Sequence, residues 1–389
     1  TLRRPLDSQD TQSCITACRA LGARIDDSPP ESWEIRGTAG KPDPITHRAD
    51  VGNSGTTLFL ALTAAALGES EIEFDGDEQL RRRSAGPLLD ALTILGADCY
   101  SRGGNGCPPI SIQGPIHGGS ISIECPTSQY LSSLLLGCPL ARGDTDIEVP
   151  LLNEKPYVDM TCGWLKDRGI EFDAEPNFRH VHVPGRQSYP AFDTMIPGDF
   201  SSATFFLVAA AITSSELMLR GLDMEDTQGD KAVVWMLEKM GCRVEPCEDG
   251  VRIEGPDELE GGEFDLNATP DAIPAMAVAG CVAKGETRLV NVPQARDKET
   301  DRLSAMAGEL EKMGGRVEEL NDGLILRHSR LQGARVSGRG DHRIAMALAV
   351  AGLVAEGTTV VDTAECVSIT FPQFSDLMRS IGADLQVLD

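Results

Sequence analysis

The sequence predicts an α/β protein (mixed α+β) of two domains, each built from three similar units in which some helices are buried. Three observations predict this fold class. The chain has 389 residues, more than one compact core usually holds. An amphipathic helical segment that ends in glycine recurs at intervals of roughly 70 residues. Between these segments lie almost wholly apolar ones, and a helix that is apolar on every side is normally buried.

The amphipathic segments mark the copies of the unit. Each has apolar residues at helical spacing, then a glycine, and then an alternating strand such as residues 315–319. The glycine stops the helix and lets the chain turn with a positive φ angle. The six glycines are Gly22, Gly96, Gly169, Gly241, Gly314 and Gly382. Three copies fall in each half of the chain, which predicts domains 1–196 and 197–389, with the Pro-containing segment 186–197 as the linker.

Five apolar segments predict the buried helices. They cover residues 58–67, 130–140, 203–212, 272–283 and 344–355. Each follows a short polar stretch that offers Ser, Thr, Asp or Arg where a helix begins. One such stretch is only a helix cap. Five at equivalent places in a repeat predict helix N-termini that converge on a shared anionic ligand.

Composition excludes several classes of function. A formal net charge of −25 argues against nucleic acid and anionic membranes as partners. The 11 cysteines include no Cys-x-x-Cys pair, and no histidines cluster at ligand spacing, so we expect buried thiols in a reducing compartment and no metal site. The longest apolar runs are too short to span a bilayer. We therefore predict a cytoplasmic protein without a membrane or nucleic-acid partner.

A charged stretch before the fifth amphipathic helix is the strongest local candidate for a reactive site. We expect Thr300 or Asp301 to cap that helix. Lys298 and Arg302 are four residues apart, so on one helical turn they would face the same ligand. Glu299, between the cations, is a candidate proton carrier. Taken alone, the stretch is more typical of a solvated, well-capped helix start.

Nine short motifs, in order and at consistent spacing, extend this picture. They are Gly52-Asn-Ser-Gly-Thr-Thr57, Arg81-Arg-Arg-Ser84, Thr127-Ser-Gln129, Lys155-Pro-Tyr157, Gly198-Asp-Phe-Ser-Ser-Ala203, Thr269-Pro-Asp271, Lys298-Glu-Thr-Asp-Arg302, Asp341-His-Arg-Ile-Ala-Met346 and Phe371-Pro372. Together they resemble the 5-enolpyruvylshikimate-3-phosphate synthase family, and its archaeal branch in particular. The resemblance runs from Pro5 to the C-terminus. It implies a two-domain inside-out α/β barrel, the enolpyruvyl transferase fold, with three βαβαββ-type units per domain and a ligand cleft between the domains.

The resemblance also implies an activity. Members of the family transfer the enolpyruvyl group of phosphoenolpyruvate to the 5-hydroxyl of shikimate 3-phosphate and release phosphate, with no metal or organic cofactor. Both substrates are polyanions, so the site needs cations and fixed dipoles. It also needs a carboxyl group that can give and take a proton. Domain 1–196 would serve shikimate 3-phosphate, domain 197–389 would serve phosphoenolpyruvate, and the protein would be a monomer.

Individual roles follow from the resemblance as well. Phosphoenolpyruvate would be bound by Gly55, Thr56, Arg83, Gln129, Arg302 and Arg343. Shikimate 3-phosphate would be bound by Thr127, Ser128, Gln129, Tyr157, Asp271 and Lys298. Asp271 would act as the base for the attacking hydroxyl, and Glu299 would work at the methylene carbon. The two assignments can be exchanged, because coupled carboxyl groups titrate as a unit.

Several features depart from the family pattern. Family members carry, before the position of Thr1, a segment with a Pro-x-Ser-Lys-Ser motif that touches the ligands, so we interpret the chain as a fragment of a longer protein. Phe59, Ser84 and Glu154 replace the usual Arg, Pro and Ser. An unpaired carboxylate beside a phosphate would be costly. We therefore expect Glu154 to point away from the ligand, or the ligand to differ.

These departures keep other functions open. A divergent relative would eliminate phosphate from shikimate 3-phosphate without phosphoenolpyruvate. A non-catalytic binding protein would bind the ligand and release no phosphate. The sister transferase that acts on a UDP-amino sugar shares the fold, but residues 298–302 and 341–343 match the shikimate branch better.

Overall fold

Two units divide the chain in its computed structural model, which describes residues 1–388. The first unit runs from Thr1 to Ile196, and the second begins at Pro197. Each unit has its own hydrophobic core. In the part of the chain that the structure describes, no helix combines the length and the apolar character needed to cross a bilayer.

The first unit repeats one arrangement of four strands three times, and five helices lie between these strands in the chain. Its helices are α1 (Gln9–Ala20), α2 (Gly55–Ala65), α3 (Gly86–Ile94), α4 (Gln129–Gly137) and α5 (Lys155–Asp167). Its strands are β1 (Leu2–Arg3), β2 (Arg24–Asp26), β3 (Ser32–Arg36), β4 (Arg48–Asp50), β5 (Ile72–Asp75), β6 (Asp98–Ser101), β7 (Ile110–Gln113), β8 (Gly119–Ser122), β9 (Thr145–Glu148), β10 (Asp173–Ala174), β11 (His180–Val183) and β12 (Thr194–Met195). They form three 4-stranded sheets in the orders β12-β1-β3-β2, β4-β5-β7-β6 and β8-β9-β11-β10. In each sheet the first pair is parallel and the other two pairs are antiparallel.

The second unit follows a related plan. Its helices are α6 (Phe200–Ile212), α7 (Ala232–Lys239), α8 (Ile273–Val282), α9 (Arg302–Lys312), α10 (His342–Gly352) and α11 (Phe374–Ser380). Its strands are β13 (Glu216–Arg220), β14 (Arg243–Cys247), β15 (Gly250–Glu254), β16 (Glu263–Asp265), β17 (Glu286–Val290), β18 (Arg316–Leu320), β19 (Gly323–Arg327), β20 (Arg335–Ser337) and β21 (Val360–Asp362). They form the sheets β13-β15-β14, β16-β17-β19-β18 and β20-β21. Within residues 1–388 the sheets of each unit are separate and do not close into one continuous barrel.

The helices predicted to be buried are buried, which confirms that part of the fold class. They are α2 and α4 in the first unit and α6, α8 and α10 in the second. In α8 every residue from Ile273 to Cys281 is buried. Helix α2 packs against α4, and α8 packs against both α6 and α10. Helices therefore fill the interior of each unit, and the helix N-termini are fixed by a tightly packed core.

The amphipathic helices end where the sequence predicts. Each is followed by a glycine with a positive φ angle, which a residue with a side chain rarely adopts. The angles are 98° at Gly22, 109° at Gly96, 69° at Gly169, 105° at Gly241, 82° at Gly314 and 102° at Gly382. The repeat seen in the sequence is therefore a repeat in the structure.

The predicted linker, residues 186–197, is only partly a linker. Thr194 and Met195 form strand β12, which pairs in parallel with β1. The Ile196 amide donates to the carbonyl oxygen of Arg3 at 2.9 Å, and the Arg3 guanidinium forms an ion pair with Asp193 at 2.7 Å. The end of the segment thus completes a sheet of the first unit, because its backbone groups find partners there.

Candidate active site

Helix α9 begins at the charged stretch. Asp301 caps the helix, since its carboxylate accepts a hydrogen bond from the Ser304 amide at 3.1 Å. The helix starts at Arg302, whereas Lys298 lies before it in extended backbone with φ −87° and ψ −153°. The prediction that Lys298 and Arg302 share one helical turn is therefore wrong. A short 3-10 turn, Pro293–Asp297, precedes Lys298 and delays the start of the helix.

The Arg302 guanidinium is the centre of the site in the second unit. Its side chain is 1% exposed and binds three carboxylates. Nε donates to Asp341 at 2.8 Å, Nη1 to Asp271 at 2.6 Å and Nη2 to Glu299 at 2.5 Å. Burial alone lowers the pKa of Arg302, but the carboxylates of Asp341, Glu299 and Asp271 outweigh burial and raise this pKa well above its usual value. The guanidinium is thus a permanent buried charge.

Arg343 supplies a second guanidinium to the same place. It lies in the first turn of α10, which Asp341 caps by accepting a hydrogen bond from the Arg343 amide at 2.9 Å. Its Nη2 lies 2.9 Å from the Asp271 carboxylate and donates to the Ser201 hydroxyl at 3.2 Å. The Arg343 side chain is 12% exposed, so it is more accessible to a ligand than Arg302 is.

Asp271 bridges the two arginines from a 3-10 turn, Pro270–Ala272, just before α8. One carboxylate oxygen binds Arg302 and the other binds Arg343. Burial raises the pKa of Asp271, but the positive charges of Arg343, Arg302 and Lys298 outweigh it and hold this pKa far below its usual value. Asp271 is therefore ionised at neutral pH, and its side chain remains 23% exposed. Such a carboxylate can accept a proton only weakly while both arginines hold it.

The first unit holds a second cluster of predicted site residues at the start of α4. The Thr127 hydroxyl donates to the Glu154 carboxylate at 3.2 Å. The Ser128 amide and hydroxyl donate to the same oxygen at 3.2 and 3.0 Å. Glu154 is 1% exposed. The Glu154 carboxylate is turned toward the residues predicted to bind shikimate 3-phosphate, and not away from them, because the donors of Thr127 and Ser128 satisfy it. The alternative expectation, that the ligand differs, stays a prediction.

Four further predicted residues of the first unit lie in two contacts, and Tyr157 lies apart from them, half-buried in the first turn of α5. The Gln129 amide donates to the Thr56 hydroxyl at 2.7 Å. A Cβ placed on Gly55 would lie 2.4 Å from an Arg83 nitrogen, so the guanidinium rests against the glycine backbone. A side chain at this position would push the end of the flexible Arg83 side chain away from the start of α2. The structure thus brings these four residues together in pairs at the start of α2 and α4.

Two departures from the family pattern have structural explanations. The Phe59 ring is buried and packs edge-on against Tyr130, with ring centroids 5.2 Å apart. The Ser84 hydroxyl accepts a hydrogen bond from the Gly86 amide at 3.1 Å, at the start of α3. Phe59 therefore contributes to the core and Ser84 to the local turn.

Two residues near the arginines received no role from the sequence. Asp341 is fully buried and binds Arg302, and Ser201 binds Arg343. Both lie in motifs that the sequence singled out, but as helix-start residues. The repeated polar stretches before buried helices could have predicted that Asp341 and Ser201 lie near the arginines, because the starts of these helices converge within one unit.

Comparison with solved structures places this chain among the inside-out α/β transferases that are built from two units. An EPSP synthase from Acinetobacter baumannii matches with a TM-score of 0.83 at 26% identity, over 100% of this chain and 91% of that chain. A second structure from the same organism gives a TM-score of 0.82 at 25% identity over the same shares. These likenesses confirm the predicted fold class.

The chain belongs to the EPSP synthase family. The family model described as EPSP synthase (3-phosphoshikimate 1-carboxyvinyltransferase) matches residues 1–378. A relative from Acetivibrio thermocellus, named 3-phosphoshikimate 1-carboxyvinyltransferase, is 49% identical over 388 residues, covering 100% of this chain and 91% of the relative. An archaeal relative of the same name, from Methanocella arvoryzae, is 45% identical over 387 residues, covering 98% and 90%. The resemblance drawn from the motifs is confirmed.

Proposed function

We propose that this chain transfers the enolpyruvyl group of phosphoenolpyruvate to the 5-hydroxyl of shikimate 3-phosphate and releases phosphate. This is the carboxyvinyl transfer after which its family is named. The observation that carries the proposal is the Asp271 carboxylate bridged between the guanidinium groups of Arg302 and Arg343. Two cations that already hold one carboxylate can hold that of a substrate, and the released Asp271 can then take a proton.

The second unit supplies the groups for proton transfer in this proposal. Phosphoenolpyruvate binds through its carboxylate to Arg343 and Arg302, in the two-oxygen geometry that guanidinium groups favour. When the substrate carboxylate replaces Asp271 on Arg343, Asp271 loses a cation and becomes a stronger base. Asp271 then takes the proton of the attacking hydroxyl. Glu299 protonates the methylene carbon while the hydroxyl oxygen bonds to the neighbouring carbon, which gives a tetrahedral adduct. Glu299 then takes a proton back from the new methyl group as the bond from the adduct to phosphate breaks, which restores the double bond and releases phosphate; the two carboxyl groups can exchange these roles.

The remaining residues bind and orient the ligands in this proposal. Thr127 and Ser128 bind the phosphate of shikimate 3-phosphate, and Tyr157 and Lys298 line the shikimate side. Gly55, Thr56 and Arg83 bind the phosphate of phosphoenolpyruvate, and Gln129 contacts both ligands. The Gln129 to Thr56 hydrogen bond supports this placement. We further propose that the enzyme is a cytoplasmic monomer.

Release of phosphate from the two substrates, each omitted in turn, tests the function. We expect release only when both are present, together with a product whose mass has gained an enolpyruvyl group. Release from shikimate 3-phosphate alone would favour the elimination reaction instead. Binding of shikimate 3-phosphate without any release would favour the non-catalytic binding protein.

A further inference from the structure

The donors at the start of α4 hold an anion that the chain itself supplies. One oxygen of the Glu154 carboxylate accepts three hydrogen bonds, from the Thr127 hydroxyl and from the amide and hydroxyl of Ser128. We call these three donors the α4 cradle. A helix N-terminus with free amide and hydroxyl donors favours negative charge. The carboxylate of Glu154 meets that preference from within the chain.

The position of Glu154 is built into the fold. Glu154 is 1% exposed, as is Ser128. Its backbone is left-handed, with φ 57° and ψ 36°, at the residue before α5. The loop before Glu154 is hydrogen-bonded to Cys125, which lies two residues before Thr127. The backbone amide of Asn153 donates to the carbonyl oxygen of Cys125 at 3.1 Å, and the backbone amide of Cys125 donates to the carbonyl oxygen of Leu151 at 2.8 Å. The loop therefore delivers the carboxylate to the cradle.

A phosphate ester and a carboxylate need the same donors here. Each phosphate oxygen is an acceptor of the kind that the Glu154 oxygen represents. Both groups cannot share the cradle, because two anions at hydrogen-bonding distance of the same donors repel each other strongly when water is excluded. Entry of a phosphate thus requires the carboxylate to leave.

We propose that Glu154 is a resident competitor in the α4 cradle, which the phosphate of shikimate 3-phosphate must expel in order to bind. The proposal rests on the function proposed above and names one of its determinants. Glu154 stabilises the ligand-free protein by satisfying the cradle and weakens the affinity for the phosphorylated substrate. Its effect falls on shikimate 3-phosphate and not on phosphoenolpyruvate or on unphosphorylated shikimate.

The test compares Glu154→Gln and Glu154→Ser with a matched control, Glu124→Gln. Glutamine keeps the size of the side chain without its charge, and serine leaves the cradle empty. Glu124 is exposed, three residues before Thr127, so its variant removes the same charge nearby without touching the cradle. Titration calorimetry with shikimate 3-phosphate and with shikimate, and the KM of each substrate, give the readouts.

We expect both Glu154 variants to bind shikimate 3-phosphate roughly tenfold more tightly than the wild type, which is a typical effect of removing a like charge. The KM for shikimate 3-phosphate falls to match, whereas the KM for phosphoenolpyruvate and the affinity for shikimate stay within about twofold. The Glu124→Gln protein behaves like the wild type. If Glu154→Ser fails to fold, the isosteric Glu154→Gln protein carries the same comparison.

Thermal melting separates competition from a purely structural role. Without ligand, the variants melt at lower temperature because the cradle donors lose their charged acceptor in Glu154→Gln and their acceptor altogether in Glu154→Ser. With saturating shikimate 3-phosphate, their melting temperature rises by more than that of the wild type. A structural role would lower the melting temperature equally with and without ligand.

Two results would overturn the proposal, and they are distinguishable. If the wild type turns over and folded Glu154 variants bind shikimate 3-phosphate no more tightly, the competition is refuted while the proposed function stands. If neither the wild type nor the variants bind shikimate 3-phosphate, the competition and the proposed function fail together.

Discussion

The two clusters of predicted site residues balance charge in opposite ways. In the first unit, neutral donors of Thr127 and Ser128 surround one buried carboxylate, that of Glu154. In the second unit, the guanidinium groups of Arg302 and Arg343 are surrounded by carboxylates. The first cluster thus presents dipoles and an anion, whereas the second presents permanent cations together with their counter-ions.

This difference determines what a substitution does in each place. The three donors of Thr127 and Ser128 are neutral groups, so removing the carboxylate of Glu154 leaves these donors without an anion but does not leave them as unpaired charges. Removing one arginine leaves buried carboxylates facing one another, and an uncompensated buried charge is strongly destabilising. Substitutions in the first unit should therefore act mainly on binding, and those in the second on folding or turnover.

The largest effect is expected for Arg302→Met. The variant leaves the carboxylates of Asp271, Glu299 and Asp341 without their shared cation. We expect the free energy of unfolding to fall by about 3–5 kcal/mol, measured by urea denaturation, with loss of turnover. Arg220→Met is the control, because Arg220 forms an exposed ion pair with Asp249 and its removal costs less than about 1 kcal/mol. Equal losses in the two variants would contradict the contrast between the units.

Arg343→Ala should separate turnover from folding within the second unit. Asp271 keeps its ion pair with Arg302 in this variant, so its carboxylate still faces a cation. We expect kcat/KM to fall by roughly a hundredfold or more, because a cation that binds the substrate is lost. The melting temperature should change little. A drop comparable to that of Arg302→Met would make Arg343 a structural residue.

Much of the fold could be predicted because its signals are local. The end of a helix just before Gly241 or Gly314 depends on a few neighbouring residues. The apolar composition of α8 predicts by itself that this helix is buried. The starts of the buried helices were also close to their predicted positions. Only the strand at 194–195 was missed within the linker, since its pairing with β1 joins the two ends of the first unit.

The site was harder to predict because its contacts join residues far apart in the chain. Motif matching named Arg302, Asp271 and Glu299, but not that one guanidinium binds both of those carboxylates and Asp341 as well. The inward turn of Glu154 depends on donors 26 and 27 residues away. From its charge alone, Glu154 was expected to point away from the ligand. The sequence does not show that the donors of Thr127 and Ser128 lie within hydrogen-bonding distance of its carboxylate.

His342 gives the second unit a stability that depends on pH. The pKa of His342 is lowered to about 4, and burial is the largest cause of this shift. The positive charges of Arg343 and Arg302 also lower the pKa, whereas the carboxylates of Glu299 and Asp341 raise it. The folded protein therefore resists protonation of this imidazole. Because the unfolded chain binds the proton near its ordinary pKa of about 6.5, stability is present above that pH and is lost as pH falls toward 4.

The loss attributable to His342 is up to about 3 kcal/mol across this range. We expect His342→Gln to unfold with a flatter dependence of free energy on pH between about 6.5 and 4, as measured by urea denaturation at a series of pH values. His180→Gln makes the same change on an exposed strand and should leave the slope as it is in the wild type. A slope unchanged in His342→Gln would mean that the carboxylates alone set the acid limit.

The smallest effect should appear in the first unit, as a coupling between Ser128 and Glu154 in the ligand-free protein. Ser128→Ala removes one of the three donors to the carboxylate and leaves the amide in place. In a double-mutant cycle with Glu154→Gln, we expect a coupling in the free energy of unfolding of about 1 kcal/mol, the amount by which a hydrogen bond to a charged group exceeds one to a neutral group. The pair Ser128→Ala and Glu124→Gln should be additive to within about 0.5 kcal/mol. Each single substitution should cost far less than Arg302→Met, because the Ser128 and Thr127 donors to Glu154 are neutral. A coupling of several kcal/mol would mean that both units depend on buried charge in the same way.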